Sequence, residues 1–135
     1  MPKYYTPQEA NMMLPQLTQL LQQIQGLARQ KGMVDGRVAQ VKQAVLGNGY
    51  HNPIEDPMVV QATSVLNDAL RDAFARLDDW DIELKDISTG LIDFRAMREG
   101  REIYLCWRLG EPEVGYWHEL TTGFDGRQPL DDRIG

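Results

Sequence analysis

The sequence predicts an α+β fold: a long antiparallel helical hairpin, coiled-coil-like, followed by a small antiparallel β-meander of three to four strands. Apolar residues recur every three or four positions through much of the first 81 residues, the period of a helix face. From Ile82 they recur every second position, the period of a strand. We expect one domain of 135 residues, with a helical half at 1–81, a meander at 82–120 and an extended tail at 121–135.

Composition limits the classes of function. The formal net charge of −6 and the pI near 4.8 make nucleic acid a poor partner, and no basic patch is visible. No apolar run is long enough for a membrane span, so we expect no membrane partner. The single cysteine excludes an internal disulfide and fits a reducing compartment. We therefore expect a cytoplasmic protein.

The first helix has a clear beginning. Thr6, Pro7 and Glu9 occupy the cap, the first helical position and the position three residues after the cap. The Thr6 and Glu9 side chains can therefore satisfy free backbone amides. Pro15 lacks an amide hydrogen and disfavours helix at Leu14, so we expect a short opening helix that kinks or breaks there.

An apolar stripe follows this proline. Its steps of three and four predict one long helix with a coiled-coil seam, and Lys31 is its only polar member. Glycines 26, 32 and 36 each cost about 1 kcal/mol in a helix, so a break near Gly32 to Gly36 is the alternative. The stripe consists of Leu17, Leu20, Ile24, Leu27, Lys31, Val34, Val38, Val41 and Val45.

A second helix should begin at Pro57, after a turn-rich loop at 47–55. Two helices cannot bury so much apolar surface by themselves, which favours self-association through the helices. The alternative is that the stripe is only the core of the hairpin. The second helix places Val59, Leu66, Leu70, Ala73, Leu77 and Trp80 on one side.

Strands are predicted at 82–87, 91–97, 102–109 and 114–120, joined by short turns. In the third strand Ile103, Leu105, Trp107 and Leu109 share the face that should pack on the helices. The other face carries Tyr104, Cys106 and Arg108.

Several motifs resemble an uncharacterised prokaryotic family that is known only as a domain of unknown function. The similarity covers nearly the whole chain and supports a small bacterial domain. It implies no activity, substrate or cofactor. The motifs are YTPQEAN at 5–11, Leu14-Pro15, Lys85-Asp86, GLIDF at 90–94, LCWRLGE at 105–111, Trp117-His118 and GFDGR at 123–127.

Cys106, His118 and Asp93 are the candidate catalytic residues. His118 should lie on the strand after Cys106, and Asp93 on the strand before it. A thiol beside an imidazole that a carboxylate orients is the set used in acyl transfer and thiol chemistry. The alternative is a cysteine that only fills space in the core, as free cysteines commonly do.

No metal site is expected, because paired ligand spacings such as CxxC or HExxH are absent from the sequence. The weaker candidates for metal ligands are Cys106 and His118 with a carboxylate, Glu119 or else Asp93 or Glu111. His51 is interpreted as a solvated turn residue.

A cleft for a carboxylate or phosphate is predicted on the sheet, because arginine binds such groups bidentately and stacks on rings. The alternative is an ion-pair network that joins the meander and the tail to the helices. The candidate ligand-binding residues are Arg108, Glu111, Tyr104, Trp117 and Arg127.

The leading hypothesis is a homo-oligomeric scaffold or binding module whose sheet face binds a small anionic ligand or a protein partner. The alternative is a small enzyme, or a redox or metal protein, that uses Cys106 with His118 and a carboxylate. No cofactor is assigned.

Overall fold

The computed structural model describes residues 2–32, residue 45 and residues 57–135. Helix α1 spans Pro7–Gln30 and helix α2 spans Pro57–Asp79. Hydrogen bonds from the Lys3 amide to the Asp81 carboxylate, and from the Tyr5 hydroxyl to the Trp80 carbonyl, place the start of α1 beside the end of α2. The two packed helices therefore run in opposite directions.

The predicted cap of α1 is confirmed, and the predicted break at Pro15 is wrong. Thr6 accepts a hydrogen bond from the Glu9 amide, and the Glu9 carboxylate accepts one from the Thr6 amide. The helix continues through Pro15. Leu14 and Leu17 are buried on either side of it, so a break would expose apolar surface. Tertiary burial outweighs the roughly 3 kcal/mol that an internal proline costs.

The prediction of one long helix from Leu17 to Val45 is also wrong. Helix α1 ends at Gln30, and Gly32 follows with φ of +70°, a left-handed conformation typical of a helix end. The end of the helix therefore lies at the beginning of the segment, Gly32 to Gly36, where the alternative prediction placed a break. Residues 33–44 and 46–56, including Val34, Val38 and Val41 of the stripe, the predicted loop and His51, lie outside the described residues.

Four of the six described members of the stripe, Leu17, Leu20, Ile24 and Val45, are buried within the chain, whereas Leu27 and Lys31 are partly exposed. Leu17, Leu20 and Ile24 are at most 2% exposed, and Leu70 and Leu77 of α2 belong to the same core. Self-association through the helices stays a prediction. No helix in the described ranges is long and apolar enough to cross a membrane.

The sheet has five antiparallel strands in sequence order. The prediction of three to four strands missed β5, and the predicted fourth strand at 114–120 is longer than the observed one. The tail also carries a short 3₁₀ helix, Phe124–Gly126, and a bridge between Arg98 and Ile134. Backbone pairing therefore fixes what was predicted to be an extended tail. The strands are β1 Ile82–Asp86, β2 Leu91–Arg98, β3 Arg101–Arg108, β4 Tyr116–His118 and β5 Gln128–Pro129.

The sheet has an inner and an outer face. The inner face packs on the helices: Phe94 contacts the Tyr5 ring, and the Gln25 amide of α1 donates to the Ile87 carbonyl. Ile103, Leu105 and Trp107 are buried there, as predicted. The outer face carries Asp93, Cys106 and His118, and residues 119–127 pass across part of it. The candidate site is therefore on the side of the sheet away from the helices.

Substitution of Gly90 by alanine should destabilise the protein more than the same change at Gly100. Both glycines have positive φ, +68° and +78°, and this strain costs about 1–2 kcal/mol in each. A Cβ at Gly90 would lie 2.6 Å from Leu109 Cβ, whereas no described atom lies within 4 Å at Gly100. We expect the overpacking to add about 1–3 kcal/mol at Gly90. Urea unfolding of both variants measures the difference, and equal losses would contradict this packing.

Candidate functional site

The strand pairing brings Asp93, Cys106 and His118 together. Asp93 of β2 lies opposite Cys106 of β3, and His118 of β4 lies opposite Tyr104 of β3. All three candidate catalytic residues are buried, at 2% exposure or less. One ligand atom from each lies within 4.8 Å of the others. The three residues selected from the sequence therefore form one cluster on the outer face.

Asp93 and His118 form a buried pair that bridges β2 and β4 over β3. His118 Nε2 is 3.0 Å from Asp93 Oδ2. His118 Nδ1 lies 2.8 Å from the carbonyl oxygen of Glu119, which can only accept a hydrogen bond, so Nδ1 carries a proton. Both ring nitrogens are therefore engaged.

These contacts favour the protonated imidazole. Burial opposes the charged form, but the hydrogen bonds to the Asp93 carboxylate and the Glu119 carbonyl outweigh it and raise the pKa of His118 above 6.5. The Tyr104 ring stacks obliquely at 5.4 Å from the imidazole. A buried imidazolium beside a carboxylate is a compensated pair of charges.

Cys106 is held as a thiol. Burial and the negative charge of Asp93 raise the pKa of Cys106 to about 12, although the Arg127 cation acts in the opposite direction. A nucleophilic triad needs the imidazole in the middle, with one nitrogen on the thiol and the other on the carboxylate. Here the carboxylate is central, because His118 directs its second nitrogen to a backbone carbonyl. This arrangement does not generate a thiolate.

The second oxygen of Asp93 lacks a hydrogen bond. Oδ1 is buried, and no partner for it exists among the described residues. An unsatisfied buried acceptor costs about 1–3 kcal/mol, and more when it is charged. The carboxylate is therefore available to a further ligand.

A pocket of about 180 Å³ opens above the cluster. Asp93 and His118 contribute to its floor from the sheet, and residues 120–124 of the tail form the opposite wall. Its lining consists of Lys85, Leu91, Asp93, Tyr104, His118, Leu120, Thr122, Gly123 and Phe124. Sheet and tail together make a small pocket that combines charged and polar groups with the apolar side chains of Leu91, Leu120 and Phe124.

The predicted ligand-binding residues do not converge on this pocket. Arg127 Nη2 is 2.8 Å from both carboxylate oxygens of Glu111, and its guanidinium stacks on Tyr116 and Phe124. This is one ion pair of the alternative network, and it joins the tail to the turn after β3 and not to the helices. Trp117 is on the inner face, buried in the core. Of the five candidates, only Tyr104 lines the pocket.

Glu119 also points elsewhere. Its carboxylate pairs with Arg101 at 2.8 Å, so Asp93 is the carboxylate that lies beside Cys106 and His118. The sequence interpretation did not assign a role to Lys85 or to Thr122, Gly123 and Phe124. A signal was present, because Lys85 and the segment that begins at Gly123 lie in the motifs on which the resemblance to a family was based.

We predict that Asp93→Asn lowers the pKa of His118. The carboxylate stabilises the imidazolium, so its neutral replacement removes that contribution. Because the folded pKa is raised, the stabilisation is complete below the unfolded pKa of about 6.5 and is lost as pH rises through the folded value. Histidine NMR titration measures the pKa, with His51 as an internal reference. An unchanged His118 titration in a folded variant would contradict the pairing.

We also predict that Cys106 reacts slowly with iodoacetamide in the native protein at neutral pH. The thiol is buried and its pKa is raised to about 12, so little thiolate is present. Denaturation should restore the rate of an ordinary cysteine. The chain has one cysteine, so the reaction needs no assignment. Fast native alkylation at neutral pH would contradict this environment.

Comparison with known protein families finds one family model that matches this chain. Searches of curated proteins and of solved structures find no match. A family model described as an uncharacterized conserved protein, DUF2203, matches residues 3–130. The match includes both described helices, all five strands and the pocket residues. The chain therefore belongs to the DUF2203 family.

Proposed function

We propose that this protein is a binding module that holds a small anionic ligand, a carboxylate or a phosphate, in the pocket of the outer sheet face. The observation that carries the proposal is the pocket itself, lined by Lys85, Tyr104 and His118 and walled by the tail. An enzyme that uses the Cys106 thiolate as its nucleophile fits this structure less well, because the pKa of Cys106 is raised to about 12.

The size of the pocket limits the ligand. A volume of about 180 Å³ holds about six water-sized groups at roughly 30 Å³ each. Inorganic phosphate and short carboxylic acids have this size. At most about 1.5 kcal/mol of binding free energy per non-hydrogen atom is available, so we expect dissociation constants in the micromolar to millimolar range.

The charges around the pocket favour an anion. The Lys85 ammonium lies at the pocket, 3.0 Å from the Glu83 carboxylate and 5.5 Å from the centre of the Tyr104 ring. The His118 imidazolium is compensated by the buried Asp93, whereas the Lys85 ammonium is paired with Glu83, which does not line the pocket. The Lys85 side chain is 42% exposed and can turn towards a ligand. The Thr122 hydroxyl now donates to the Glu119 carbonyl at 3.3 Å, and it can rotate to donate to a ligand instead.

Replacing Lys85 by methionine should weaken anion binding about 10- to 100-fold, because a charge-assisted hydrogen bond of about 1.5–3 kcal/mol is lost. NMR titration of the protein with inorganic phosphate and with acetate measures the affinity from the shifts of Gly123 and His118. Arg101→Met is the matched control. Arg101 is also an exposed cation with one carboxylate partner, but it does not line the pocket.

A saturable titration that Lys85→Met weakens and Arg101→Met does not would support the proposal. Equal weakening by both variants would mean nonspecific attraction of the anion. The absence of saturable shifts at Gly123 and His118 up to tens of millimolar phosphate and acetate would overturn it, since the expected dissociation constants lie within about that range.

A further inference from the structure

We propose that Asp93, Cys106 and His118 form a mononuclear zinc site at the floor of the pocket, with one coordination position open to the pocket. This inference goes beyond the proposed anion-binding function and does not depend on it. The sequence alone predicts no metal and offers Asp93 as one of three alternative carboxylates, together with Glu119 and Glu111.

The three ligand atoms are close enough for one metal ion. They lie within 4.8 Å of one another, and His118 Nε2 is 3.0 Å from Asp93 Oδ2. In a tetrahedral zinc site with bonds of about 2.0–2.3 Å, neighbouring ligand atoms are about 3.3–3.6 Å apart. Since the ligand atoms are at most 4.8 Å apart, shifts of the side-chain atoms by about 1 Å bring them to this spacing. The metal would take the place of the hydrogen bond between His118 and Asp93.

The unpartnered oxygen of Asp93 is an independent observation that points to a ligand. Oδ1 is buried and has no hydrogen-bond partner in the described part of the chain, and the Asp93 side chain is 3% exposed. Metal coordination would satisfy this carboxylate. The alternative, that the three residues only pack together, leaves Oδ1 without a hydrogen bond of normal geometry, although the Cys106 thiol lies beside the carboxylate.

The second nitrogen of His118 is already arranged for a metal ligand. Nδ1 donates to the Glu119 carbonyl at 2.8 Å, which fixes the ring orientation and leaves Nε2 directed at Asp93 and the cluster. Histidines that bind metals commonly donate their other ring N–H to a backbone carbonyl or a carboxylate. The outer contact that a zinc-bound His118 needs is therefore present.

The chemistry of the three ligands favours zinc. One thiolate, one carboxylate and one neutral imidazole neutralise a divalent cation, so the loaded site would carry no net charge in its buried position. Sulfur and nitrogen ligands with a single carboxylate suit zinc rather than magnesium or calcium. Three protein ligands beside a pocket are typical of a zinc site that accepts water or a small ligand at its fourth position.

The test uses the full chain, stripped with a chelator and titrated with Co²⁺, which substitutes for Zn²⁺ and absorbs light. We expect one Co²⁺ per chain, a thiolate-to-cobalt charge-transfer band in the near ultraviolet and the visible bands of tetrahedral cobalt. Added Zn²⁺ should remove these bands by competition. Bound Zn²⁺ should also raise the melting temperature, because it binds the folded state.

The variants assign the ligands. Cys106→Ser should abolish the charge-transfer band, and Asp93→Asn and His118→Gln should lower Zn²⁺ affinity by more than the roughly 10–100-fold that loss of an outer partner causes. Two matched controls remove the same side-chain types elsewhere. His51→Gln removes the other histidine, and Glu119→Gln removes the neighbouring carboxylate, which pairs with Arg101. Both controls should bind Co²⁺ as the wild type does.

Two results would overturn the proposal. One is a folded wild-type protein that gives no cobalt–thiolate band with an excess of Co²⁺. The other is a Zn²⁺ affinity that Cys106→Ser leaves unchanged while His51→Gln lowers it, since the metal would then be bound elsewhere. If Asp93→Asn or His118→Gln fails to fold, the wild-type spectrum and the Cys106→Ser variant decide the question.

Discussion

The outer half of this structure depends on one buried carboxylate. Asp93 is 2% exposed in the middle of the sheet, and a charge in such a position needs a partner. His118 supplies it by reaching across β3 from β4. The residue of β3 that lies opposite Asp93 must then be small, and it is Cys106. The Asp93 carboxylate therefore constrains both the size of the side chain at position 106 of β3 and the placement of β4, which carries His118.

The same constraint continues into the tail. With Nε2 on Asp93, His118 needs an acceptor for Nδ1, and the Glu119 carbonyl lies 2.8 Å away because the chain turns immediately after β4. Eight residues later, Arg127 binds Glu111 through both carboxylate oxygens. The segment between these two anchors forms the outer wall of the pocket. A loop held at both ends keeps the pocket formed without a ligand, which lowers the entropic cost of binding.

Local chemistry made much of the sheet predictable. The period of two located the first three strands. Glu99 and Gly100, with φ of 52° and 78°, form a two-residue hairpin turn, in which glycine is the favoured residue at the second position. Such a turn sets the register: counting back from the pair of Arg98 and Arg101 places Asp93 opposite Cys106. The placement of Asp93 opposite Cys106 thus follows from the sequence once the hairpin turn is recognised.

Other features depend on contacts that no local pattern contains. The connection before β4 is longer and irregular, so the reach of His118 to Asp93 does not follow from spacing. Pro15 should break α1 by local rules, but burial of the leucines around it keeps the helix continuous. The apolar stripe continues in the sequence past Gln30, yet the helix ends there at a left-handed glycine. In each case tertiary packing or backbone conformation outweighs periodicity.

The cysteine at position 106 helps to decide between two explanations of the cluster: that its residues only pack together, or that they bind a metal ion. If the bridge between Asp93 and His118 required only a small residue beneath it, alanine would serve, and it would place no dissociable group beside a carboxylate. A thiol next to Asp93 is held protonated, with a pKa of about 12, so it contributes no nucleophile. It also leaves the buried Asp93 Oδ1 without a hydrogen bond. A bound divalent cation would use the Cys106 sulfur, the free Asp93 oxygen and the His118 imidazole together. The metal-free cluster is neutral because the carboxylate is paired with an imidazolium, and the loaded cluster would be neutral because the thiolate and the carboxylate balance the cation.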